Sequence, residues 1–137
     1  MKRLHALPCC LLLLAVATPA HTQATDPSGN YRCDGVSPDG SAYRALVQIA
    51  RNGDTYLLRW ATPNGVVSIG VGVLKDNTLS VAFFGVSAGV VVYRIDGTKP
   101  LTGDWTDLEG TGHVYKETLT KLAEGERISF PAISPVF

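Results

Sequence analysis

Between residues 29 and 120 the apolar positions of this chain either alternate with polar ones or run together in short blocks, and no stretch sustains a helical period. Tyr43, Ala45, Val47 and Ile49 fall on one side of an extended chain, opposite Arg44 and Gln48. Tyr56, Leu58 and Trp60 repeat the pattern around Arg59. Residues 66–74, 79–84 and 90–93 are apolar at nearly every position, as in strands covered on both faces. Turn formers punctuate these runs: Pro38-Asp39-Gly40, Asn52-Gly53-Asp54, Pro63-Asn64-Gly65, Lys75-Asp76-Asn77, residues 85–89, Asp96-Gly97 and residues 109–112. The punctuation predicts eight strands, at 29–35, 42–51, 55–62, 66–75, 78–84, 89–96, 100–106 and 113–121.

Connections this short make neighbouring strands antiparallel, because a parallel pair needs a crossover of about a dozen residues or more. The predicted fold is all-β, an eight-stranded antiparallel up-and-down barrel, which leaves no exposed edge. A two-sheet sandwich is the alternative. Gly70 and Gly72 stand two apart on one face, where a bulky ring such as Trp60 or Phe83 could lie on bare backbone.

The segment before the strands has a different character. Met1-Lys2-Arg3 is a positive start, Leu11 to Val16 the centre of an apolar run, and small residues with Pro19 lead to cleavage points after Ala20 or Ala24. The run is shorter than the roughly 20 residues a spanning helix needs. The expected organisation is a secretory signal over 1–24, a barrel over 25–122 and a tail over 123–137, in which Ile128, Phe130, Ile133 and Phe137 could dock on the barrel. The protein is therefore expected to be exported: periplasmic, secreted or at the cell surface. An outer-membrane barrel is set aside despite the terminal Phe137, because most strands are short and Pro131 and Pro135 interrupt the end.

Composition narrows the function. The 137 residues have room for one domain. Removing Lys2 and Arg3 from the 12 basic residues leaves ten against 12 acidic ones, which gives nucleic acid no clustered basic surface. Cleavage also removes Cys9 and Cys10, so Cys33 is either a buried small hydrophobe or one half of an intermolecular bridge.

Catalytic signals are missing from the order of residues. No Ser/His/Asp order, HExxH, CxxC or phosphate-cradling loop occurs, and there are too few His and Cys for a zinc site. His113 reads as a solvated turn residue. Asp104, Asp107 and Glu109 around Trp105, and Asp34 and Asp39 around Gly35, read as turn formers rather than paired catalytic acids. Glu117 is different: it shares a strand face with Tyr115 and Leu119, and an inward carboxyl needs a partner such as Arg44, Arg59 or Arg94. The expectation is a binding protein, not an enzyme, with no metal or cofactor.

The spacing Gly29-x-Tyr31, Asp39-Gly40-x-x-Tyr43, Gly53-x-x-Tyr56-x-Leu58-x-Trp60 continues through Gly70-x-Gly72-Val73 and Leu79-Ser80-Val81-Ala82. It ends with Gly89-Val90-Val91-Val92-Tyr93-x-Ile95 and Leu101-x-Gly103-x-Trp105. Over residues 29 to 121 this resembles a family of small exported bacterial barrels commonly labelled fibronectin-binding proteins. The architecture is more distantly similar to lipocalins and avidins. Their opening Gly-x-Trp falls on Gly29-Asn30-Tyr31, and their closing Arg has Lys121 or Arg127 as counterparts.

Two partners follow as expectations. One is a host matrix protein on the apolar outer faces of strands 66–75, 78–84 and 89–95, a surface that would equally serve self-association. The other is a small apolar ligand in the barrel mouth, held among Tyr43, Tyr56, Trp60, Phe83, Tyr93 and Trp105 with Glu117 as a polar anchor.

Overall fold

A computed structural model of the chain describes residues 25–110 and 112–126. The expected signal segment and the docking of the tail lie outside the described residues. Eight strands follow one another: β1 (Gly29–Val36), β2 (Ala42–Asn52), β3 (Thr55–Ala61), β4 (Val67–Lys75), β5 (Thr78–Phe84), β6 (Ala88–Arg94), β7 (Leu101–Asp107) and β8 (Tyr115–Lys121). Each pairs antiparallel with the next, and β1 pairs with β8, so the sheet closes into an up-and-down barrel, with no helix among the described residues. The sandwich alternative is excluded by that closure.

Alternation decides which side chains enter the barrel. Tyr31 and Cys33 of β1, Ala45, Val47 and Ile49 of β2, and Tyr56 and Leu58 of β3 are buried, while their even or odd neighbours face out. Leu79, Val81, Val91, Tyr93, Leu101 and Leu119 complete the core from the other strands. The near-continuous apolar strands behave differently from the sequence expectation. Their inward positions are packed, but Ile69, Val71, Val73, Phe84, Val90 and Val92 point outward and remain exposed, as does Leu57 on the adjoining β3, with Ile69 at 52% and Phe84 at 61%. Among the described residues nothing covers this outer face.

The two ends of the barrel are unlike. The lower end carries the hairpins after β2 and β4, the 95–100 connection, and the chain on its way in and out. It is closed by side chains. The Tyr31 hydroxyl donates to the Pro27 carbonyl at 2.6 Å, Lys121 Nζ donates to the Ser28 carbonyl at 3.1 Å, and Nζ also stands 5.9 Å from the Tyr31 ring centroid. The upper end carries the connections after β1, β3, β5 and β7, and it is open.

Glycines let large rings lie close to the sheet. A Cβ on Gly70 would stand 3.0 Å from a Trp60 ring carbon, so Trp60 does rest on that backbone. Phe83 instead lies over Gly89, its neighbour across β5 and β6.

Two hairpins have two-residue turns, Gly53-Asp54 and Asp76-Asn77. In both the first turn residue has positive φ, 61° at Gly53 and 54° at Asp76, and the second does not. Glycine adopts that geometry at no steric cost, whereas a side chain there is strained. Asp76→Gly is therefore expected to stabilise the fold by about 0.5–1 kcal/mol, read as a higher urea midpoint with unchanged slope.

Candidate functional site

The interior of the upper half is organised around one carboxyl. Glu117, on β8, is 6% exposed and is the one buried charged or polar side chain among the described residues. Its Oε1 accepts from the Tyr93 hydroxyl, and its Oε2 accepts from the Tyr43 hydroxyl and from Cys33 Sγ at 3.3 Å. The expected arginine partner is not there. Arg44, Arg59 and Arg94 all occupy outward positions, and Arg44 pairs with Asp34 at 3.1 Å. A carboxylate offers only acceptors, so three convergent donors satisfy it without a counter-charge.

Strand register explains how the tyrosines get there. Glu117 faces Gly35 on β1 and Gly103 on β7; Gly35 in turn faces Tyr43 on β2, and Gly103 faces Tyr93 on β6. The five residues form one row around the barrel wall. Side chains directly opposite on neighbouring strands would ordinarily fill the space between them. Here a Cβ on Gly35 would collide with the Tyr43 ring, and one on Gly103 would stand 2.7 Å from Tyr93 Cε1. Each tyrosine reaches across a bare glycine to the carboxyl beyond it.

Above this row lies a cavity of about 180 Å³, open at the upper rim. Tyr43, Trp60, Phe83 and Trp105 supply its rings, Ala45 and Val91 its deeper apolar wall, Glu117 its floor, and Thr62, Ser68, Val86, Ser87 and Asp107 the rest. Trp60 and Phe83 are 6.0 Å apart and tilted, and Trp105 meets Tyr43 edge-on at 6.2 Å, so the rings brace one another. Two polar atoms in these lining residues are buried without a partner: Trp105 Nε1 and Asp107 Oδ1. The other Asp107 oxygen accepts from Ser87 Oγ at 2.7 Å.

Five of the seven residues expected to form a site come together here: Tyr43, Trp60, Phe83, Trp105 and Glu117. Tyr93 sits beside the cavity floor, fully buried, and acts on it only through Glu117. Tyr56 does not belong to it. It starts β3 and is buried at the lower end, where residues after the β2–β3 turn must lie. Asp107 was read as a turn former but lines the cavity. Its signal was the alternation of β7, where Leu101, Gly103, Trp105 and Asp107 share the inward face. Asp104, by contrast, faces out to Lys116, and His113 is an exposed turn residue. Cys33 is fully buried, and burial together with Glu117 pushes its thiol far up, so a bridge to another chain would require the barrel to open.

No family model matches the chain, and no curated protein matches it. Among solved structures, a redesigned β-barrel is similar to it with a TM-score of 0.61 at 15% identity, over 70% of this chain and 91% of that one. That likeness shows the barrel fold and is silent on ligands.

Burial, and next the Glu117 carboxylate, raise the Tyr43 and Tyr93 phenols well above their ordinary value of 10.0. In the unfolded chain both phenols lose their protons near that value, while the folded chain keeps them. The stability they contribute is fully present below pH 10 and is lost as pH climbs above it. Urea melts between pH 8 and about 11.5 are expected to begin to fall near pH 9, where the Cys33 thiol ionises in the unfolded chain only, and to fall more steeply above pH 10 as the two phenols follow.

Proposed function

We propose that the protein is an exported, non-enzymatic binding protein that holds a small, largely apolar ligand in the upper mouth of its barrel. The observation that carries this reading is the division of the lumen: the lower half is packed with side chains, and the upper half keeps a cavity walled by four aromatic rings. Eight-stranded barrels have room either for a filled interior or for one small ligand, and this one divides between the two. The cavity of about 180 Å³ is below the roughly 300 Å³ at which drug-sized pockets begin. It is close to the ~150 Å³ that suffices for benzene in an engineered apolar cavity. A single-ring molecule is the right scale; a fatty acid or retinoid is not.

The test uses an internal reporter, because both tryptophans of the chain, Trp60 and Trp105, line the cavity. Titration with benzyl alcohol is expected to change intrinsic fluorescence saturably. Ala45→Phe, which fills the deeper wall, is expected to abolish the change while the circular dichroism of the barrel persists. An unresponsive wild-type spectrum would remove the reading.

A second reading is favoured by the outer face, where exposed Leu57, Ile69, Val71, Phe84 and Val90 are neighbours in register across β3 to β6. Contiguous exposed apolar residues mark interaction surfaces, and the resemblance to fibronectin-binding barrels supplies the partner. On this reading, purified protein binds immobilised fibronectin and Val71→Lys, at the centre of the patch, weakens that binding at least tenfold. Absence of binding under conditions where an established binder succeeds removes it.

A further inference from the structure

Resting on the reading of the upper cavity as a ligand site, we infer that its ligand is a small organic cation: a protonated amine carried on a single ring or a comparably small apolar body. The cavity combines aromatic faces with two carboxyl groups, Glu117 on the floor and Asp107 on the wall, and no lysine, arginine or histidine stands among its described lining residues. The basic residues nearest along these strands are turned away. Arg44, next to Tyr43, and Lys116, next to Glu117, face outward and are engaged by Asp34 and Asp104. The charge inside the mouth is thus uncompensated by any cation among the described residues.

The two acids contribute differently. Glu117 already accepts from Tyr43, Tyr93 and Cys33, so it acts on a ligand chiefly through its field. Asp107 is bonded on one side only: Oδ2 accepts from Ser87, while Oδ1 is buried with no partner among the described residues, so its charge is less offset by donors. A neutral hydrocarbon entering the mouth gains nothing from the two carboxyl groups beside it. An anion would meet two carboxyls. An ammonium group is attracted by both carboxyl groups, and its charge is favoured by the ring faces around it.

Three probes of nearly the same size and different charge test this at pH 7: benzylamine, benzyl alcohol and benzoate, each titrated calorimetrically into the purified protein. Benzylamine is expected to bind about tenfold or more tightly than benzyl alcohol, and benzoate not measurably. Asp107 ends β7 near the rim, so Asp107→Asn should fold; in it the ratio of the two affinities is expected to fall toward one. Benzyl alcohol binding as tightly as benzylamine, or a ratio unchanged in Asp107→Asn, overturns the cation inference and leaves the cavity reading standing. Failure of all three probes to bind overturns both.

Discussion

Burying a carboxyl inside a small barrel is costly unless its lone pairs are met, and the way Glu117 is met fixes much else in this structure. Its donors come from β1, β2 and β6, reached across glycines on β1 and β7. Through hydrogen bonds and the rings that make them, β8 is tied to strands far from it in sequence. Two of these links, from Cys33 and Tyr43, cross the seam between β1 and β8, where the sheet could otherwise open. The row Tyr43–Gly35–Glu117–Gly103–Tyr93 is therefore both a polar network and a closure. A half-satisfied version would be worse than an apolar core, which makes the two glycines as necessary as the two hydroxyls.

The same row divides the lumen. Below it, aliphatic side chains with Tyr31 and Tyr56 fill the barrel, and the segment entering β1 closes the end through the Tyr31–Pro27 bond and the Lys121 ammonium. Above it, Trp60, Phe83 and Trp105 stand at the ends of β3, β5 and β7, where the wall rises toward the connections and opposite side chains no longer meet in the middle. The cavity is what remains between a polar floor and an aromatic collar. The outer surface has its own asymmetry: the strands with the least polar exteriors, β4 to β6, lie across the barrel from β1 and its neighbours.

How far the chain can be read without its fold differs between elements. All eight strands were legible to within two residues at each end, because alternation and turn residues are local signals and short connections leave antiparallel pairing as the only choice. The inward direction of Glu117 was legible as well, from its parity with Leu119. Its partners were not. Arginine is the usual answer for a buried acid, and nothing local says that two tyrosines and a cysteine, separated from Glu117 by 74, 24 and 84 residues, would converge on it. Tyr56 and Tyr43 look alike in sequence, each an aromatic on an inward face. They part only because one sits at the start of β3 and the other at the start of β2, which places them at opposite ends of the barrel.

The sequence by itself determined the periodicity, the turns and hence an antiparallel barrel, since each depends on residues a few positions apart. It also determined which face of each strand carries aromatic rings. Tertiary structure decided height within the barrel and the pairing of distant strands. Those quantities made Gly35 and Gly103 into lanes for tyrosine rings, turned Asp107 from a turn residue into a cavity wall, and left the cavity at one end only. Register across a closed sheet is a collective property of all eight strands, and no single stretch of the chain contains it.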